Sequence, residues 1–183
     1  MTALLILDVD ETLVRATDPQ VDPPPPRVDF HVGPFPVMKR PHVDDFLRWC
    51  FASPLFKTAV WSAGSEQYVR GILRNLLLPH EAPAFVFTAT RCTRHWLSPD
   101  DWYDDERFIH LKDLKKVRAR GYDLDRVLAL DDTPRAYKRS YGNLVRIRPF
   151  LGDHSDAELQ RVRPFLEQWF AAPSVRRVEK RGW

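Results

Sequence analysis

Four places in this chain carry residue types that could do chemistry: Asp8-Val-Asp10-Glu-Thr12, Ser62, Lys112 and the pair Asp131-Asp132. A carboxylate is a competent nucleophile toward phosphorus and forms an acyl phosphate. A second carboxylate two residues on can protonate the leaving oxygen and later activate water. Two acids so close repel, and a divalent cation resolves that by neutralising them while it binds phosphoryl oxygens. An all-oxygen site of few carboxylates selects Mg²⁺. The same logic applies to Asp131-Asp132, because adjacent acids are costly to bring together unless a cation or a lysine sits between them. Ser62 taken alone is a turn serine. Lys112 taken alone belongs to a solvated basic face, since other Lys and Arg crowd residues 107 to 139.

The elements that must position these residues can be read from apolar patterning. Ala3 to Leu7 is a continuous apolar run ending directly in Asp8, the pattern of a strand buried on both faces of a parallel sheet. Thr58 to Trp61 ends at Ser62 and Val127 to Leu130 ends at Asp131 in the same way; Ala84 to Thr88 and Leu144 to Ile147 supply two more strands. Between them fall helices: Val43 to Cys50 with apolar residues at 43, 46, 47 and 50, and a Ser65-capped helix through Leu78 with Tyr68 on its apolar face. A basic helix follows over Leu114 to Arg120, ended by Gly121, and a last one opens at a Ser155-Asp-Ala-Glu158 capping box. The alternation predicts an α/β fold, a doubly wound (Rossmann-like) parallel sheet with a small cap insertion. In such sheets the loops at the carboxyl ends of the strands form the ligand crevice, and Asp8, Ser62 and Asp131-Asp132, each directly after an apolar run, lie there.

With 183 residues, 44% hydrophobic and 29% charged, the composition excludes disorder and fibrous repeats. It predicts one domain over 1–172, with a Pro-rich excursion at 16–37 that forms at most a hairpin with edge strands. A cap insertion is expected at 82–110 and a basic tail at 173–183. No stretch longer than nine residues lacks Asp, Glu, Lys and Arg, which excludes a transmembrane helix and predicts no membrane partner. The N-terminus has no basic n-region, so a cytoplasmic location is expected. Cys50 and Cys92 have no CxxC spacing and read as free thiols, Cys50 in the core. A net charge of +3 tolerates a polyanionic partner without demanding one. Trp96 and Trp102 are expected in the core of the cap.

The motifs in their order resemble those of the haloacid dehalogenase superfamily of phosphohydrolases. Lys39-Arg-Pro-His-Val-Asp-Asp-Phe-Leu47, Leu111-Lys-Asp-Leu114, Leu130-Asp-Asp-Thr-Pro134 and Ser155-Asp-Ala-Glu-Leu159 are similar to blocks of the small RNA polymerase II C-terminal-domain phosphatases and the NLI-interacting-factor-like proteins. The resemblance implies Asp8 as nucleophile and Mg²⁺ ligand, and Asp10 as general acid/base that binds the metal through its backbone carbonyl. It further implies that Thr12 orients that loop and helps seat the phosphate, Ser62 binds phosphate, and Lys112 neutralises the phosphoryl group and holds Asp8. Asp132 would ligate the metal, with Asp131 a ligand or its support. The expected partner is a phosphorylated protein or peptide. Ser65 stands where those phosphatases carry a bulky pocket residue, so the chemistry transfers and the polymerase substrate does not. Two other readings stay open: a polynucleotide 3′-phosphatase, whose backbone-tracking cations would be Arg91, Arg94, Arg118, Arg120, Arg135, Lys138 and Arg139, and a catalytically idle binding module.

Overall fold

A computed structural model describes residues 2–98 and 107–183. In chain order its elements are β1 (Ala3–Leu7), β2 (Val14–Ala16), β3 (Phe30–Val32), β4 (Phe35–Lys39), α1 (Val43–Ala52), β5 (Phe56–Trp61) and α2 (Glu66–Leu76). These are followed by β6 (Val86–Phe87), β7 (Thr93–Trp96), β8 (Phe108–Leu111), α3 (Lys115–Arg118), β9 (Val127–Asp131), β10 (Leu144–Arg146) and α4 (Glu158–Ala171). Five strands form the central sheet in the order β10-β9-β1-β5-β6, and every pairing in it is parallel. The central strand β1 is buried at all five positions. Leu5 and Leu7 face a core closed by α1, α2 and α4, whereas Leu4 and Ile6 face Ala59, Trp61, Leu114, Val117 and Tyr137. Apolar residues on both faces are what a doubly covered parallel strand requires. The register sets Leu7 opposite Val60 on one side and Leu130 on the other, so three strands end level with one another, and the residues just beyond them share one crevice.

The Pro-rich excursion goes further than a hairpin of edge strands. β2 and β3 flank β4 in a three-stranded antiparallel sheet, and Pro36 lies inside the middle strand, opposite His31. Its carbonyl still accepts from the Thr17 N–H at 3.1 Å; only the donor is forfeited. This sheet docks on α2 at Gly71, where an added Cβ would lie 2.5 Å from Val32 Cγ1, and Phe35 meets Tyr68 edge-on at 5.9 Å between ring centroids. Between β6 and β9 the chain forms the β7–β8 hairpin; Trp102 lies outside the described residues.

Three local expectations need correction. The basic helix is a single turn, α3, because Gly121 at φ 88° turns the chain almost at once. The capping box does not form: Ser155 bonds to Asp153, and Asp156 Oδ1 instead accepts from the Glu158 N–H at 3.0 Å. Trp96 is 66% exposed, not cap core, because a two-stranded hairpin has only one face to bury.

Candidate functional site

The Asp8 N–H donates to Leu130 O at 3.0 Å, the last rung of the ladder, and the chain then leaves the sheet. Glu11 takes a left-handed φ of 52°, a conformation that costs energy for a non-glycine residue and is tolerated where its surroundings fix it. Here Arg40 does the fixing. Its buried guanidinium donates to the carbonyls of Thr12 at 3.1 Å, Glu11 at 3.3 Å and Arg148 at 2.8 Å, and pairs with Asp156 at 2.7 Å. One side chain thus ties the Asp8–Thr12 loop to the segment after β10 and to the start of α4. A planar five-donor group suits this task and lysine would not.

The site residues converge. Lys112 Nζ lies 2.6 Å from Asp8 Oδ1 and 2.5 Å from Asp131 Oδ2, all three groups being buried. Burial works against the ammonium, but the Asp131 and Asp8 carboxylates overcome it and hold Lys112 well above its ordinary range. Asp131 is fully engaged, since its second oxygen accepts from the Thr133 N–H at 2.8 Å. Burial first, and the Asp8 charge second, push its carboxyl upward, while Lys112 pulls it back. Asp132 is raised to about 6 by the same two causes. Thr12, fully buried, lies 3.5 Å from Asp8 Oδ2 and 3.4 Å from Asp132 Oδ1, bridging the two carboxylates with one hydroxyl.

Asp10 has different neighbours. Tyr68 OH donates to its Oδ1 at 2.5 Å and Ser62 Oγ to its Oδ2 at 3.3 Å; the Ser62 oxygen in turn accepts from the Gly64 N–H at 2.9 Å. Burial and then the Asp8 charge raise the Asp10 carboxyl above its usual value, against the two hydroxyls. Ser62 itself is completely buried, and its hydroxyl is engaged by Asp10 and the Gly64 N–H. Tyr68 was legible in the sequence only as one apolar position of a helix. A phenol six residues beyond Ser62, on the first turns of a helix starting at that strand end, is the signal that could have found it.

A cavity of about 230 Å³ opens onto Asp8, Asp10, Glu11, Lys112 and Asp132, roofed by Phe108, Ile109 and His110 of β8. Arg135 also lines it. Several of the other cations named for the polynucleotide reading have partners within the chain: Arg91 lies over Phe87, Arg94 over Phe108, Arg120 over Phe85, and Arg139 pairs with Asp113. Oxygen atoms of Asp8, Asp131 and Asp132 lie within 4.8 Å of one another. This hard-oxygen donor set, with the Asp131 and Asp132 carboxyls raised by burial and then by the Asp8 charge, fits a small divalent cation. With Asp131 occupied by Lys112 and Thr133, Asp8 Oδ2 and Asp132 Oδ1 are the atoms best placed to hold it.

Comparison with known proteins agrees with this geometry. The human Carboxy-terminal domain RNA polymerase II polypeptide A small phosphatase 1 is 31% identical over 168 residues, 90% of this chain and 58% of that protein. The chain therefore spans little more than half of that relative's length. CTD nuclear envelope phosphatase 1 of Xenopus tropicalis is 30% identical over 191 residues, covering 98% of this chain and 72% of the relative. Among solved structures, the beryllium fluoride complex of the fission yeast RNA polymerase II CTD phosphatase Fcp1 superposes with a TM-score of 0.53. It is 19% identical and takes in all of this chain and 59% of that one, a likeness of fold. The relatives overturn the cytoplasmic expectation, because those from Xenopus and Danio rerio are nuclear envelope phosphatases by name. No helix among the described residues is long and apolar enough to cross a membrane. The model of the NLI interacting factor-like phosphatases matches residues 3–176, a span that holds every residue of the site from Asp8 to Asp132, and the chain belongs to that family within the haloacid dehalogenase superfamily.

Proposed function

We propose that this chain is an Mg²⁺-dependent phosphomonoester hydrolase that works through an aspartyl-phosphate on Asp8 and acts on phosphoserine or phosphothreonine in proteins. The observation that carries the reading is the unequal treatment of two neighbouring carboxyls: Asp8 faces a buried ammonium at 2.6 Å, whereas Asp10 faces two hydroxyls and is raised by burial. Environments that drive two acids apart in this way divide the roles of nucleophile and acid. Bound between Asp8, Asp132 and the Asp10 carbonyl, Mg²⁺ would neutralise the crowded carboxylates and the phosphoryl oxygens.

The chain's own groups account for the rest. Lys112, clamped by Asp131, holds Asp8 in line, and an Asp8 oxygen attacks phosphorus. The bond from phosphorus to the serine or threonine oxygen breaks as Asp10 gives that oxygen a proton. Asp10, now a carboxylate, takes a proton from water; the water oxygen attacks phosphorus, the bond to Asp8 breaks, and inorganic phosphate leaves. Tyr68 and Ser62 hold Asp10 in one place through both steps. The names of the relatives support a phosphoprotein substrate.

The test is a parallel assay on phosphoserine peptides, phosphotyrosine peptides and 3′-phosphorylated oligonucleotides, with Mg²⁺ and with EDTA. Phosphoserine turnover should require Mg²⁺, vanish in Asp8→Asn, and fall by roughly 10²–10⁴-fold in Asp10→Asn, the usual worth of a positioned acid/base. Turnover that survives EDTA, or a folded Asp8→Asn protein with more than a trace of activity, would refute the mechanism. Preference for the oligonucleotide would refute the substrate.

A further inference from the structure

A second concavity lies away from the reacting carboxyls. It is a groove of about 750 Å³ between the β10 edge of the sheet, the start of α4 and the segment from Arg176 to Trp183. Seven Lys and Arg side chains line it against two Glu. Several of these cations are consumed locally: Arg161 pairs with Glu158, Arg181 with Glu179, and Lys180 Nζ donates to the carbonyls of Val175 and Val178. Arg148 is 3.7 Å from Glu158, an acid already taken by Arg161. Arg146 and Arg177 have no ion pair among the described residues, and both are exposed. Uncompensated cations around one concave wall focus a positive potential there.

The position of the groove says what would occupy it. Arg146 sits opposite Asp131 in the β9–β10 register, so its end of the groove is level with the catalytic end of the sheet, while Arg177 lies toward the other end, where Arg176 packs on Gly142. β10 is two strands from β1, about 10 Å at the usual spacing, and an extended peptide covers that in about three residues. Among the described residues no strand pairs with the outer edge of β10, the setting in which an extended peptide can add main-chain hydrogen bonds. We propose that this groove is a second, non-catalytic anion site that takes an acidic or additionally phosphorylated stretch of the polypeptide whose phosphoester reaches Asp8. The inference rests on the phosphoprotein reading above. It specifies substrates with a negative side chain about three to five residues from the scissile phosphoserine, since the arginine side chains add their own reach to the strand spacing.

The test compares wild type with an Arg146→Glu/Arg177→Glu double variant, and with Arg146→Ala/Arg177→Ala in case charge reversal impairs folding. The substrates are a small aryl phosphate, a phosphoserine peptide with neutral flanks, and the same peptide with glutamates or a second phosphoserine four residues away. Wild type should show a KM at least about fivefold lower for the acidic peptide than for the neutral one, a difference that salt erases. The variants should lose that difference and keep wild-type kcat on all three substrates. Equal KM values for neutral and acidic peptides in wild type, or a preference that the variants retain, overturns the groove. Failure to hydrolyse the aryl phosphate instead overturns the phosphatase reading. Anisotropy with the labelled acidic peptide, an oligothymidylate and anionic vesicles then still decides the groove's ligand: binding of the peptide that both variants lose supports it, and stronger binding of oligonucleotide or vesicle refutes it.

Discussion

Asp8 and Asp10 are two residues apart on one loop, yet one is held by an ammonium and the other by a tyrosine and a serine hydroxyl. The division assigns work to Tyr68. Burial and the nearby Asp10 charge push its phenol well above the ordinary range, so it remains a hydrogen-bond donor throughout. Tyr68→Phe keeps the ring against Phe35 and removes only that donor. Its kcat on phosphoserine peptide should fall by about one to two orders of magnitude, part of the roughly 10²–10⁴-fold that a positioned acid/base supplies, with KM close to wild type. In single-turnover experiments phosphoenzyme formation should suffer less with an aryl phosphate, whose leaving oxygen needs no proton. An equal loss on both substrates would mean that Tyr68 supports the site without positioning Asp10. At this scale Asp8, Asp10, Asp131 and Asp132 were legible because acids at strand ends have few bland explanations, whereas Lys112 and Thr12 were given a role only by the resemblance of the ordered motifs. Tyr68 was not legible, because an aromatic on the inner face of an amphipathic helix has an ordinary packing explanation.

α2 carries Tyr68, and α2 is held from outside by the Pro-rich excursion. Gly71 lets β3 approach so closely that a Cβ there would meet Val32 Cγ1 at 2.5 Å. Helix propensity alone says Gly71→Ala should stabilise by up to about 1 kcal/mol. Close packing says the opposite, because Val32 is stiff and the strand must shift. We expect packing to win and the variant to lose about 1–3 kcal/mol in urea denaturation, together with part of kcat, since Phe35 and Tyr68 ride on the same contact. Val32→Ala introduced into Gly71→Ala should restore most of both. A neutral or stabilised Gly71→Ala protein would show that β3 yields freely. The excursion itself could not be read in the sequence as more than loop or edge strand, because its prolines, Pro36 among them, argue against a middle strand. The structure accepts the lost donor since the Pro36 carbonyl remains bonded to Thr17. The strands β1 and β9 were legible for the opposite reason: each carries an uninterrupted apolar run up to its terminal acid, which a doubly covered sheet demands.

Across the whole molecule the site behaves as a concentration of buried negative charge that the fold tolerates at a cost. Asp132 is raised to about 6, and Glu11 to about 7 by burial and by its carboxylate neighbours Asp10, Asp132 and Asp8. Asp131 is raised as well. Carboxyls raised in the folded state keep protons that the unfolded chain has already released. Their contribution to stability is therefore complete below about pH 4, where both states are protonated, and is lost as pH rises through about 6 to 7. The lowered carboxyls, Asp113, Asp153 and Glu179, act with the opposite sign, but their contribution changes only in more acidic solution. Between pH 5.5 and 8 the site groups should dominate. In EDTA the melting temperature should therefore fall across that window. A cation bound by Asp8 and Asp132 takes the place of the protons, so saturating Mg²⁺ should raise the melting temperature most at pH 8 and flatten the profile. A hundredfold excess over Kd is worth about 2.7 kcal/mol to the folded state. Ca²⁺ should also stabilise but fail to support turnover, because its larger and looser coordination leaves the Asp8 oxygen misplaced relative to phosphorus. Asp132→Ala should shrink both the Mg²⁺ shift and the slope in EDTA, since it removes a ligand and one of the raised carboxyls together. A melting temperature that rises from pH 5.5 to 8 in EDTA, or a Mg²⁺ shift untouched by Asp132→Ala, would move the metal and the strained charge away from this cluster.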